Sequence, residues 1–217
     1  MTIKSIKETF YDGMFKIQAI ENDQELAFFL RDEYLPQINI YDILPGSDFD
    51  EVLSGQLMDA GLSSAAELKA VEYLSRAEQS RAGLLRKLLQ KKYEKKYIET
   101  ALDFLEHKNY LSDSRFSRAW LNTRKINHYE GRTKLCAELQ SRGIDKATAE
   151  SAVTEFFTEN DEYEICRKAL EKQISKGKKD EKLIASMLQS GFPYKMIKEV
   201  MDESAYKCND SKDSLLS

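Results

Sequence analysis

YLSRAEQSRAGLLRKLLQKKYEKKYIETALDFLEHKNYLSDSRFSRAWLNTR, residues 73–124, carries successive helical signals and no strand signal. Leu84, Leu85, Leu88 and Leu89 recur at the spacing that places them on one stripe of a helix, and Arg86, Lys87, Gln90 and Lys91 fall on the opposite side. Ser80 stands where its hydroxyl can accept from an early helical N–H. A second helix follows, with Tyr97, Ile98, Ala101, Leu102 and Leu105 as its buried set. At Leu111-Ser112-Asp113-Ser114-Arg115-Phe116 the pattern restarts: Ser112 is a suitable N-cap, Asp113 complements the helix dipole, and Leu111 is placed to staple onto Phe116.

The same spacing returns twice downstream. Leu84, Leu135 and Leu183 correspond, as do Leu88, Leu139 and Met187; then Lys92, Gly143 and Gly191; Tyr93, Ile144 and Phe192; and Ile98, Ala149 and Ile197. Five columns aligned without a gap imply tandem repeats that each touch mainly their neighbours. The expected fold is mainly α, with three-helix repeats over residues 62–110, 111–158 and 159–204, forming an elongated curved array with a concave face. Ser64 and Glu67 fit a capping box that opens the first repeat. In the second repeat Phe116, Ala119, Trp120 and Thr123 are expected to face inward, and Gly143 and Gly191 to supply left-handed helix stops. Residues 205–217 read as a polar disordered tail.

Residues 1–61 differ in kind. Asp12-Gly13 between Ile6–Tyr11 and Met14–Ile20 suits a two-residue hairpin turn. Phe15, Ile17 and Ala19 alternate with Lys16 and Gln18, and Leu26–Leu30 offers a third strand after a polar turn. The expectation is a small N-terminal β-meander, an irregular connection punctuated by Pro36, Pro45 and Gly46, and a short helix capped by Ser47 or Asp48 and ending near Gly61.

The net charge of −4 conceals a division along the chain. Residues 1–72 carry five basic and fourteen acidic side chains, residues 73–146 seventeen and nine, and residues 147–217 eleven and fourteen. A basic middle between acidic flanks favours a polyanion or an acidic protein surface as partner. No run approaches the roughly 18 apolar residues of a membrane span, and the acidic first 25 residues lack a signal peptide's apolar segment, so a cytoplasmic protein without membrane contact is expected. Cys136, Cys166 and Cys208 are widely spaced, and with only His107 and His128 beside them no metal site is expected. The absence of a Gly-rich phosphate loop, GxSxG and HExxH removes the sequence-visible enzyme classes, so neither catalytic residues nor a cofactor are expected.

YLSRAEQSRAGLLRKLLQKKY, followed by ALDFLEHKNYLSDSRFSRAWLNTR and then GRTKLCAELQSRGI, resembles the RecX family of bacterial RecA regulators over about residues 68–201. The resemblance implies a non-catalytic protein of three tandem three-helix repeats. It would bind the RecA filament on single-stranded DNA and inhibit its ATPase, filament growth and strand exchange in recombination and repair, including the SOS response. The partner expected is that filament, with a weak direct contact to DNA and the chain itself monomeric.

The resemblance supplies no residue-level motif, so contact residues are inferred from chemistry. The partner-binding candidates are Arg76, Arg81, Arg86, Lys87 and Lys91 in the first repeat and Arg115, Arg118, Arg124, Arg132, Lys134 and Arg142 in the second. Arginine can grip a carboxylate or phosphate in a planar fork, so the arginines rank above the lysines. For any one of them, a solvated or intramolecular role is the competing reading. Trp120 could stack on a base, but beside Phe116 it reads first as core. A stand-alone helical DNA- or RNA-binding module is the alternative function, and a hydrolase built on Asp103 and Glu106 is a remote third.

Overall fold

The computed structural model describes residues 1–35, 37–126 and 128–213, with side chains described as far as Glu203. Pro36 and residues 214–217 of the expected tail lie outside the described residues. Three strands, β1 (Thr2–Glu8), β2 (Met14–Glu21) and β3 (Gln24–Arg31), form an antiparallel sheet in the order β1-β2-β3. Then come α1 (Glu51–Leu74), α2 (Arg81–Gln90), α3 (Lys95–His107), α4 (Asp113–Arg124), α5 (Arg132–Ser141), α6 (Lys146–Glu159), α7 (Glu162–Ser175), α8 (Asp180–Gln189) and α9 (Tyr194–Asp213). The chain divides between Ser112 and Asp113 into two compact units.

In the first unit the meander is present, but its two turns are unalike. Asn22 and Asp23 both take positive φ, 49° and 61°, between the paired residues Glu21 and Gln24, which is the primed turn that suits strand twist. The first turn is longer than expected. Strand pairing ends at Glu8 and Phe15, Met14 N–H donates to Tyr11 O, and of Asp12 and Gly13 only Gly13 has a positive φ. Ile3, Phe15, Ile17, Ala19 and Leu30 face a core completed by Leu57 and Ala60 of α1.

The expected break at Gly61 does not occur. Asp50 caps α1 by accepting from Leu53 N–H, and the helix runs unbroken for 24 residues. Gly61 is there because Phe28 of β3 presses on the helix: a Cβ at Gly61 would lie 2.8 Å from the Phe28 ring. Ser64 and Glu67 do not form a capping box, because both are buried mid-helix and face β3. The Ser64 hydroxyl accepts from Arg31 N–H and donates to Ala60 O, each at 2.8 Å. Glu67 takes the Arg31 guanidinium in a fork, at 2.6 Å to Nε and 2.5 Å to Nη2, and also accepts from the Tyr34 hydroxyl at 2.9 Å. Burial works against the Arg31 charge, yet the hydrogen bonds and negative charge of Glu67 raise its pKa.

The repeat columns return as repeated geometry. Leu84, Leu135 and Leu183 are buried, as are Leu88, Leu139 and Met187, and Ile98, Ala149 and Ile197. Within each set of three helices the first packs on the third and the second on the third: α1 and α2 on α3, α4 and α5 on α6, α7 and α8 on α9. Each middle helix ends in one motif. Lys92, Gly143 and Gly191 have φ of 67°, 88° and 90°, and the N–H groups of Tyr93, Ile144 and Phe192 reach back to Leu88, Leu139 and Met187 O. Lys92 is the one side chain forced into the left-handed region at this column, so Lys92→Gly should stabilise the chain by about 1 kcal/mol in chemical denaturation.

The second unit corrects the inward face of α4. Ser117 and Leu121 are its buried residues, Phe116 and Trp120 flank them half-buried, and Ala119 and Thr123 are exposed. Ser117 tolerates burial because its hydroxyl donates to Asp113 O at 2.7 Å. Leu111 joins the core of Leu105 and Ile98 in the first unit, so it is not a staple for Phe116. Helix α9 runs to Asp213, into the stretch expected to be tail.

Candidate partner-binding surface

The eleven candidate cations divide by whether the fold has already used them. Arg81, at the start of α2, is fixed to α3, with Nη2 at 2.6 Å from Asp103 Oδ1 and Nη1 at 2.6 Å from Glu106 Oε2. Burial opposes its charge, and these two carboxylates more than compensate and raise its pKa. The two residues considered for a hydrolase thus close an α2–α3 contact. Lys87 donates to Gln79 Oε1 at 2.6 Å and lies over the Tyr73 ring. Arg76 makes an exposed pair with Glu72, one turn back, of the kind that contributes little to stability.

In the second unit the basic residues converge on Trp120 and Glu130. Glu130 is 6% exposed and receives Arg124 in a fork, Nε at 2.6 Å and Nη2 at 3.0 Å, with Lys134 Nζ at 2.8 Å. Burial would raise the Glu130 pKa, but the bonds from Arg124 and Lys134 lower it, so the group stays charged. Arg124 and Arg142 both lie over the Trp120 ring, at 5.2 and 4.6 Å, and Arg142 also binds Glu138 at 2.7 Å. Trp120 is therefore occupied by arginines within its own unit. Arg132 spans to Glu162 of α7 at 2.7 Å and covers the Phe157 ring. Arg115 is half-buried, and Arg118 is exposed with a loose contact to Glu155 at 3.4 Å.

Arg86 and Lys91 remain. Arg86 is exposed on α2 and Lys91 at its C-cap, and among the described residues neither side chain has a hydrogen bond or close ion pair, although the Lys91 charge acts on Glu72 of α1. Between them lies Leu89, 43% exposed, where the sequence pattern expected core. Arg86, Leu89 and Gln90 share a face at helical spacing, and Lys92 adds an exposed cation at the helix end. Sequence reasoning missed Leu89 because the doubled leucines look equivalent, although only Leu84 and Leu88 reach the centre of the bundle. The i,i+4 pairs Glu72–Arg76 and Glu138–Arg142 were legible from spacing, whereas Arg81–Asp103 and Arg132–Glu162 needed the fold.

Among the described residues no group of His, Cys, Asp and Glu is arranged to hold a metal ion, and no helix is long and apolar enough to cross a membrane. Cys166 is buried, and burial pushes its thiol up to about 11.

Two family models match the chain, the first three-helix domain of RecX over residues 66–105 and the second over residues 112–153. A regulatory protein RecX of Treponema pallidum (strain Nichols) is 39% identical over 112 residues, which cover 52% of this chain and 68% of that protein. One from Chlorobaculum tepidum is 30% identical over 149 residues, covering 66% of this chain and 91% of that one. A crystal structure of a regulatory protein RecX superimposes with a TM-score of 0.72 over 93% of this chain and 98% of the other, at 18% identity, a likeness of fold. With the repeat columns found again as repeated geometry, these matches place the chain in a family: it belongs to the RecX family.

Proposed function

We propose that this protein is a regulator without chemistry of its own that binds the RecA filament on single-stranded DNA and inhibits RecA ATPase, filament growth and strand exchange, acting in the cytoplasm during recombination and repair. The three-helix units, over residues 62–110, 111–158 and 159–204, are taken as its binding modules. Beyond family membership, the observation that carries this reading is the outward face of α2. Arg86 stands unengaged beside the exposed Leu89, with Lys91 and Lys92 exposed at the helix end, while most of the other candidate cations are engaged in the fold. Cations around an apolar centre suit an acidic protein surface, which Arg86 can grip in a fork. A polyanion alone would leave Leu89 without a role.

The test is a titration of RecA ATPase on single-stranded DNA, beside a salt series of binding to bare DNA. Arg86→Glu with Lys91→Glu should raise the concentration for half-inhibition on the order of tenfold, with an unchanged denaturation midpoint. Arg118→Glu with Arg124→Glu is expected instead to weaken the fold, because it sets a new carboxylate against buried Glu130. Tight, salt-sensitive DNA binding with RecA unaffected would assign the chain to stand-alone DNA-binding modules.

A further inference from the structure

A second feature of the first unit fits neither the repeats nor the α2 face. A cavity of about 500 Å³ opens between the β1–β2 turn, the end of β3, and helices α1 and α3. Its apolar lining is Val71 and Leu74 of α1 and Phe104 and Leu105 of α3, with the Arg31 guanidinium 4.2 Å and the Lys108 ammonium 5.5 Å from the centre of the Phe104 ring. Two of its lining residues, Tyr11 and Tyr110, are 56% and 64% exposed, and Phe10, edge-on to Tyr11, is fully exposed, a concentration of aromatic surface that water disfavours.

The charge around this cavity has one sign to spare. Its two cations are already paired, Arg31 with Glu67 and Lys108 with Glu33 at 2.8 Å. Four carboxylates, Asp12, Asp32, Glu33 and Glu67, line it against these two cations: Lys108 acts on Asp12 and Arg31 on Asp32 only without a close ion pair, and the Asp32 carboxylate accepts from the N–H of Glu33 at 2.8 Å. Burial and the neighbouring Glu33 push the Asp32 carboxyl above its usual range despite the opposing charge of Arg31, a cost that a further cation would relieve. Nucleic acid is the wrong occupant, since its phosphates would meet Asp12, Asp32 and Glu33.

We propose that this cavity is a docking site for a segment of another protein that presents one large apolar side chain flanked by lysine or arginine. The apolar side chain fills the cavity against Val71 and Leu74, Tyr11 and Tyr110 close around it, and the flanking cations meet Asp12 and Asp32. The proposal does not depend on the RecA reading, which concerns α2.

The experiment titrates the isotope-labelled full chain with the peptide Lys-Lys-Trp-Lys-Lys and follows backbone amide shifts. Saturable shifts confined to residues 9–13, 32–33, 71–75 and 104–110 are expected. Replacing the peptide's tryptophan by serine should weaken binding about tenfold or more. Asp12→Lys in the protein should weaken it about two- to fivefold, with the spectrum elsewhere unchanged, and Tyr11→Ser gives an independent variant should Asp12→Lys disturb the turn. Equal binding of Glu-Glu-Trp-Glu-Glu or of oligo-dT, shifts outside these segments, no saturation, or indifference to both variants would overturn the site.

Discussion

Glu67→Ala is expected to cost about 3 to 5 kcal/mol of stability, because it leaves the Arg31 guanidinium buried without its counter-charge. Arg31 and Glu67 are 7% and 2% exposed, so water does not replace the lost fork. Tyr34 loses its acceptor as well, and burial together with the Glu67 charge already holds its phenol protonated as a donor. The contact joins the last residue of β3 to the middle of α1, so its loss should appear first as faster hydrogen exchange in those two elements. Chemical denaturation followed by circular dichroism gives the magnitude. The double variant Arg31→Met, Glu67→Leu separates the causes: it removes both charges and should be more stable than Glu67→Ala alone. A loss under about 1 kcal/mol for Glu67→Ala, or a double variant as unstable as the single one, would mean that the pair does not lock sheet to helix.

That lock also shows where sequence reading reaches its limit. Local signals gave Ser64 and Glu67 the spacing of a capping box, and nothing within a turn of helix contradicts it. What decides against it is Arg31, more than thirty residues away, which brings to the helix a backbone N–H and a guanidinium that need acceptors. Gly61 misleads in the same way: it reads as a stop, yet it is a notch for Phe28. The repeat columns were legible because each records a demand made inside one bundle, a buried side chain or a left-handed helix end, and that demand recurs three times. The binding face was only half legible. Basic residues were visible as a group, but which of them the fold consumes depends on distant acids such as Asp103 for Arg81 and Glu162 for Arg132.

The other large effect is expected where two backbones meet in the second unit. Gly131, the N-cap of α5, donates its N–H to Ser190 O at 2.8 Å, and a Cβ there would lie 2.3 Å from Gly191 O. Gly191 has a φ of 90°, and a Cβ on it would lie 2.5 Å from Lys134 N. Backbone cannot rotate away from such an overlap as a side chain can, so Gly131→Ala should cost about 1 to 3 kcal/mol. Gly191→Ala adds left-handed strain of about 1 to 2 kcal/mol to a similar overlap and should cost more. Lys92 provides the internal reference, because its column shows that the fold tolerates a side chain at this φ where that residue is exposed. The sole tryptophan, Trp120, belongs to this unit, so its fluorescence during denaturation reads the loss directly. Combining the two substitutions should cost less than their sum, since the first already parts the start of α5 from the end of α8. If each variant unfolds within about 0.5 kcal/mol of the parent, the close approach places no constraint on the unit, and the helix stop alone explains Gly191.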